Sequence, residues 1–200
     1  MAGIVVLLSG NGSNLQAIID AGIPVKYVLS DNPDAYGLIR ARNAGIPIQA
    51  VPSLKQLENF TTKVCELYEI KLIVLAGFMR ILSPKFVQRW KSQIINIHPS
   101  LLPDFKGTSA IEEAFDAGVN TTGVTIHYVD EGMDTGDIIE QYPLTILTKE
   151  EVIPLSSNFE GTNFAKHNAI DTLEQLSLRI HKIEHEHYPK VIKKLLKEEI

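Results

Sequence analysis

The stretch INIHPSLLP, residues 95–103, sets Asn96 and His98 two apart at the end of an apolar run and follows them with Pro99 and Pro103. Alternation along a strand sends both side chains to one side. An amide N–H and an imidazole are suitable donors to the oxygen of a carbonyl under attack, and histidine also moves protons near neutral pH. The prolines hold the following chain in a fixed path. The same pair also fits a hydrogen-bonded core histidine beside an asparagine that caps a turn, and residue types alone leave both readings open.

Three other segments carry chemistry-bearing residues. DEGMDTGD, residues 130–137, holds four carboxylates in a turn-like setting. It does not fit a calcium loop, which wants acids at defined steps and a late glutamate. One of these acids could orient His98 and tune its proton affinity, and spacing does not say which. SGNGSN, residues 9–14, brings a tight glycine turn to a helix start whose free N–H groups suit a phosphate. No Gly-Lys-Ser/Thr follows, and Leu15 stands where a dinucleotide fingerprint has its third glycine, so a plain strand-to-helix turn remains the other reading. In RIHKIEHEHYP, His181 and His185 lie four apart with Glu184 between them. A metal site is one reading and an exposed helix face the other; the HExxH order is absent.

These segments need a frame. Ile4 to Ser9 is a continuous branched apolar run of the kind that forms a parallel strand covered on both faces. A helix over 13–21, a strand over 24–30, a helix over 35–44, a strand over 47–51 and a helix over 54–68 follow. A strand over 72–76, a short helix from Pro84 to Trp90 and a strand over 94–97 complete the alternation. That order predicts an α/β chain with a Rossmann-like, open, mostly parallel sheet and helices on both faces. After a helix over 109–117, two alternating runs joined by DEGMDTG predict antiparallel strands at one edge. Residues 170–196 have helical spacing. The whole of 1–200 is expected to form one domain, with a nucleotide-binding half over 1–100 and a C-terminal half over 101–200 that carries a ligand-side loop and the terminal helix. Ligands gather at the carboxyl ends of such strands, where Gly10–Asn14, Gly77–Leu82 and Asn96–Pro103 all fall.

The composition narrows the function class. The formal charge of −5 argues against a dominant nucleic-acid surface. No apolar stretch reaches the roughly 20 residues that a membrane span needs. A single cysteine, Cys65, suits a buried thiol in a reducing compartment, and a cytoplasmic location is expected.

Together the segments are more specific than any one alone. IVVLLSGNGSNLQAIIDA, DAYGLIRARNAGIP, LIVLAGFMRILSPKFV, IINIHPSLLP, GVTIHYVDEGMDTGDII and RIHKIEHEHYP resemble, in this order, the phosphoribosylglycinamide formyltransferase family. The resemblance implies the formyltransferase fold and transfer of a formyl group from 10-formyltetrahydrofolate, a co-substrate, to the amine of glycinamide ribonucleotide in purine synthesis, with no metal. It implies that Asn96 and His98 stabilise the oxyanion and that Asp134 assists proton transfer. Gly12, Ser13 and Asn14 would hold the phosphate, and Glu184 the ribose. Met79, Arg80, Ile81 and Leu82 would line the pterin pocket, with Asn96 also facing the folate. Partners would be small molecules only, with the chain a monomer or homodimer.

The sequence departs from the family in three places. The connection after the first helix is short; Leu57 stands where a tail-binding arginine is expected; and residues 148–168 are longer than the usual connection. Two relatives in chemistry compete. A formyltetrahydrofolate deformylase would use the same Asn-His-Asp set on water but has a further domain ahead of the catalytic one. A methionyl-tRNA formyltransferase shares SLLP but needs a tRNA-binding domain and a basic surface. A non-catalytic nucleotide-binding protein would keep the phosphate cradle with no need of the three polar residues.

Overall fold

The computed structural model describes residues 3–147 and 171–197. The strands are β1 (Gly3–Leu8), β2 (Val25–Ser30), β3 (Ile48–Ala50), β4 (Ile70–Leu75), β5 (Ile94–His98), β6 (Thr121–Tyr128) and β7 (Ile138–Thr145). The helices are α1 (Ser13–Asp20), α2 (Tyr36–Asn43), α3 (Leu54–Leu67), α4 (Pro84–Arg89), α5 (Ala110–Asp116) and α6 (Leu173–Lys197). They form one seven-stranded sheet in the order β3-β2-β1-β4-β5-β6-β7. The first five strands are parallel, while β6 runs antiparallel to β5 and β7 to β6. The sheet takes strands from both halves of the chain.

The burial pattern explains why β1 shows no polar alternation: every one of its residues is buried. Its side chains split between two cores. Ile4, Val6 and Leu8 join a cluster with α1, α2 and α6, whereas Val5 and Leu7 join one with α3 and α4. Full burial of each such aliphatic side chain contributes about 1.5–3 kcal/mol, so both faces of a central strand must be apolar. In β5, Ile95 and Ile97 face the first core and Ile94 the second. Asn96 and His98 therefore share the face of Ile94. In β6, Val124 and Ile126 face the first core, which leaves Thr125 and His127 on the face of Asn96 and His98.

The chain leaves β1 outward to β2 and β3, then returns to β4 on the other side of β1. That reversal opens a crevice at the carboxyl ends of β1 and β4, where open α/β sheets bind ligands. α6 crosses the first face and strengthens the frame there. The buried Tyr188 hydroxyl donates to the carbonyls of Leu75 in β4 (2.9 Å) and Ile95 in β5 (3.2 Å).

The elements follow the sequence expectation, with ends shifted by one to three residues. One shift matters. β5 continues through His98, which pairs with Thr125, so the imidazole stands on the strand itself rather than on the loop after it. Leu57 is fully buried in the second core. The long segment 148–168 lies outside the described residues.

Candidate active site

Two pockets meet at the carboxyl edge of the sheet. The first, about 200 Å³, takes in Asn96, His98, His127, Asp134 and the segment Gly77–Leu82. The second, about 600 Å³, lies between Ser9–Asn14, α5 and α6 and includes His181 and Glu184. Gly77, Met79, Ile97, Pro99 and Thr108 belong to both.

In the first pocket the sheet register does the positioning. Asn96 pairs with Leu75 on one side and His127 on the other, and His98 pairs with Thr125. Thr125 then fixes the chain beyond β5: its hydroxyl donates to Ser100 O (2.7 Å) and accepts from Leu102 N–H (3.0 Å). Pro99 and Pro103 thus act with a buried hydroxyl rather than alone.

His98 is 4 % exposed. Its Nε2 lies 2.8 Å from the Phe105 carbonyl, which only accepts, so Nε2 carries the proton. Its Nδ1 lies 3.5 Å from Asp134 Oδ2. Both neighbours accept hydrogen bonds. Of the four carboxylates in 130–137, it is Asp134 that reaches the histidine. Burial works against its charge. The His127 ring, a hydrogen bond from Gly107 N–H (2.9 Å) and the His98 ring outweigh burial and hold its pKa below the usual carboxylate range. Asp134 adopts φ 52°, a left-handed conformation that aspartate tolerates better than most residues.

His127 escaped the sequence reading. Its Nδ1 lies 2.8 Å from Tyr128 O, so that nitrogen donates; its Nε2 lies 3.3 Å from Asn96 Nδ2 and 3.6 Å from Asp134 Oδ1. The ring stands between the amide and the acid. The signal in the sequence was the alternation of Thr125 and His127 against Val124 and Ile126, which put a second imidazole on a polar face.

The segment Gly77–Leu82 forms the other wall. Met79 (61 % exposed) and Ile81 (64 % exposed) present apolar surface, while Leu82 is buried. Arg80 stands 3.8 Å from Asp31. The segment is pinned at its far end by Glu58 of α3, a buried acid missed in the sequence, which accepts from Ser83 N–H (2.6 Å) and Ser83 Oγ–H (2.7 Å). Ser83 in turn caps α4, accepting from Phe86 N–H.

The second pocket is walled by the turn before α1 and by α5 and α6. Gly12 precedes α1 at φ 74°, and a Cβ there would stand 2.6 Å from Gly37 Cα, so only glycine allows the turn to pack on α2. The first N–H groups of α1 are left free at its amino end. Among the described residues no lysine or arginine lines this pocket. Asn14 donates to Glu184 Oε2 (3.0 Å) across 170 positions of sequence, and its Oδ1 is buried with no partner among the described residues. Burial pushes the Glu184 carboxyl up to about 7, against the opposing effect of the Asn14 hydrogen bond. Burial also lowers the pKa of His181. His181 and His185 stack with centroids 6.3 Å apart, and no group of three or more potential metal ligands occurs among the described residues. No helix among them is long and apolar enough to cross a membrane.

The sequence-predicted residues thus fall into two sets. Asn96, His98, Asp134 and Met79–Leu82 gather around the first pocket, and Gly12, Ser13, Asn14 and Glu184 around the second. The first set joins an amide, an imidazole and a carboxylate in one pocket, and the second lines its neighbour with the start of a helix.

Residues 2–170 match the family model described as formyl transferase. The chain is 42 % identical to the phosphoribosylglycinamide formyltransferase of Bacillus subtilis, over 96 % of this chain and 93 % of that one. It is 40 % identical to the trifunctional purine biosynthetic protein adenosine-3 of Chironomus tentans, over 94 % of this chain but only 13 % of that longer protein. Among solved structures, phosphoribosylglycinamide formyltransferase from Streptococcus pneumoniae superposes with a TM-score of 0.83 at 37 % identity, covering 98 % of this chain and 100 % of the other.

Proposed function

The chain belongs to the formyl transferase family, and from that premise we propose that it transfers the formyl group of 10-formyltetrahydrofolate to the amine of glycinamide ribonucleotide. The observation that carries the reading is the approach of His98 to Asp134, 3.5 Å apart, in the first pocket, which shares a wall with the second.

The ribonucleotide occupies the second pocket. Its phosphate takes the N–H groups of Gly12, Ser13 and Asn14 at the start of α1. Its ribose hydroxyls donate to Glu184 and to the unpartnered Asn14 Oδ1. The glycine amine then reaches across the shared wall. The folate occupies the first pocket, its pterin against the backbone of Met79–Leu82.

The amine nitrogen attacks the formyl carbon, and the carbonyl pair moves onto oxygen. Asn96 Nδ2, held by His127, and the His98 imidazolium donate to that oxygen. In the free protein the Phe105 carbonyl holds the His98 Nε2 proton, and the formyl oxygen competes for it. Asp134 keeps the ring charged and relays the proton that the amine loses to N10 of the leaving folate. The new C–N bond forms, the old one breaks, and one proton moves between the two nitrogens. A low acid pKa serves this role, because a neutral Asp134 would release the imidazolium. Glycinamide ribonucleotide and tetrahydrofolate are both small molecules, and the reaction calls for no metal.

The test is a coupled assay of purified protein with both substrates. Formylglycinamide ribonucleotide and tetrahydrofolate are expected in equal amounts. Formate released at the same rate without the ribonucleotide would instead identify a hydrolase acting through the same three residues.

A further inference from the structure

Ser9, the residue after β1, makes four hydrogen bonds where the two pockets join. Its N–H donates to Gly77 O (3.0 Å), and its carbonyl accepts from Asn32 Nδ2 (3.1 Å). Its hydroxyl donates to Asp31 Oδ1 (2.6 Å) and accepts from Met79 N–H (2.9 Å). The other Asp31 oxygen lies 3.8 Å from Arg80 Nη1. Ser9 therefore bonds to Gly77 and Met79 directly and reaches Arg80 through Asp31, while the next five residues form the anion cradle.

The hydroxyl cannot turn without loss. Asp31 only accepts and Met79 N–H only donates, so one orientation satisfies both. The bond to the carboxylate is charge-assisted and roughly twice as strong as a neutral one. A shift of Met79 must then displace Ser9 or break this chain of bonds, and a shift of the cradle must do the same to Met79. Met79 itself lines both pockets.

We propose that Ser9 and Asp31 are positioning residues that couple the two substrate sites, so that each substrate binds more tightly when the other is present. This rests on the assignment of the ribonucleotide and folate to the two pockets. Whichever ligand arrives first sets the position of Met79 and the cradle together, and the second meets a wall already in place. Coupling of this kind is reciprocal: the folate must tighten the ribonucleotide by the same factor as the ribonucleotide tightens the folate.

The experiment is calorimetric titration of the full chain with glycinamide ribonucleotide, alone and with saturating tetrahydrofolate, which lacks the formyl group and cannot react. The wild type is expected to gain about fivefold or more in ribonucleotide affinity from the folate. Ser9→Ala and Asp31→Ala should each bring that ratio to within about twofold of unity, and Ser9→Thr, which keeps the hydroxyl, should retain most of it. A general loss of stability weakens both titrations and leaves the ratio alone, so the ratio isolates the coupling. Should Ser9→Ala fail to fold, Asp31→Ala supplies the same reading from the other end of the bond. A ratio near one in the wild type, or an unchanged ratio in Ser9→Ala and Asp31→Ala, overturns the coupling while leaving the functional reading intact. Failure of the wild type to bind either ligand overturns the functional reading and the coupling with it.

Discussion

The two pockets are built from different material. The ribonucleotide pocket rests on regular structure: a strand end, the start of α1 and the body of α6, closed by the Asn14–Glu184 bond. The folate cleft rests on loops, with Asp134 and Phe105 in left-handed conformations and the side chains of Met79, Ile81 and Met133 largely exposed. The first recognises by fixed N–H groups and buried acceptors. The second offers apolar surface and places its few polar groups by strand register. On the proposed function, ribonucleotide affinity would come from the first and the chemistry from the second.

The largest test of this contrast is to remove the proton machinery. His98→Ala and Asp134→Asn should each lower turnover about 10²- to 10⁴-fold at saturating substrates while the chain still folds, shown by a single cooperative urea transition. A matching rise in ribonucleotide KM would merge the two pockets into one functional unit and break the comparison.

A smaller effect is expected on the other side. Asn14→Ala and Glu184→Gln should raise the ribonucleotide KM about tenfold or more, since each removes a buried polar partner, with folate KM and turnover changing far less. Steady-state kinetics with each substrate varied in turn separates these parameters.

The smallest effect sharpens the contrast through stability. The Glu184 carboxyl is raised from 4.5 to about 7 in the folded protein, chiefly by burial. The unfolded chain therefore gives up this proton more readily. The contribution to stability is fully present below about pH 4.5 and is lost as the pH rises towards 7, by up to about 3 kcal/mol. Urea titrations at pH 5, 6 and 7 should show this slope, and Glu184→Gln should flatten it. The depressed Asp134 acts oppositely: its contribution is present above the unfolded carboxylate range and is lost as the pH falls through its lower folded value.

The same contrast explains what the sequence disclosed. The glycine turn before α1 is contiguous, residues 9–14, and its place between a strand and a helix could be read directly. Asn96 and His98 were legible because a two-residue step on a strand is a local fact. Their partners depend on long-range register. His127 meets Asn96 because β6 pairs antiparallel with β5 at that residue, and nothing in TIHYV states the pairing partner. Asp134 could be placed only by family resemblance, since four acids share its loop. No motif marks Glu58 in the sequence; the fold brings it to Ser83. Leu57 shows the converse: helical phase sends it into the core beside Val64 and Cys65, a placement no single residue type discloses.

The Tyr188 hydroxyl adds a thermal consequence. It straps together the two strands whose tips carry Gly77 and His98, and it does so from α6, the helix that also supplies Glu184. Detaching that helix would undo the ribose contact and loosen the catalytic strand in a single event. On heating, the protein should lose nucleotide recognition and turnover at one temperature, with no warm state in which either survives the other.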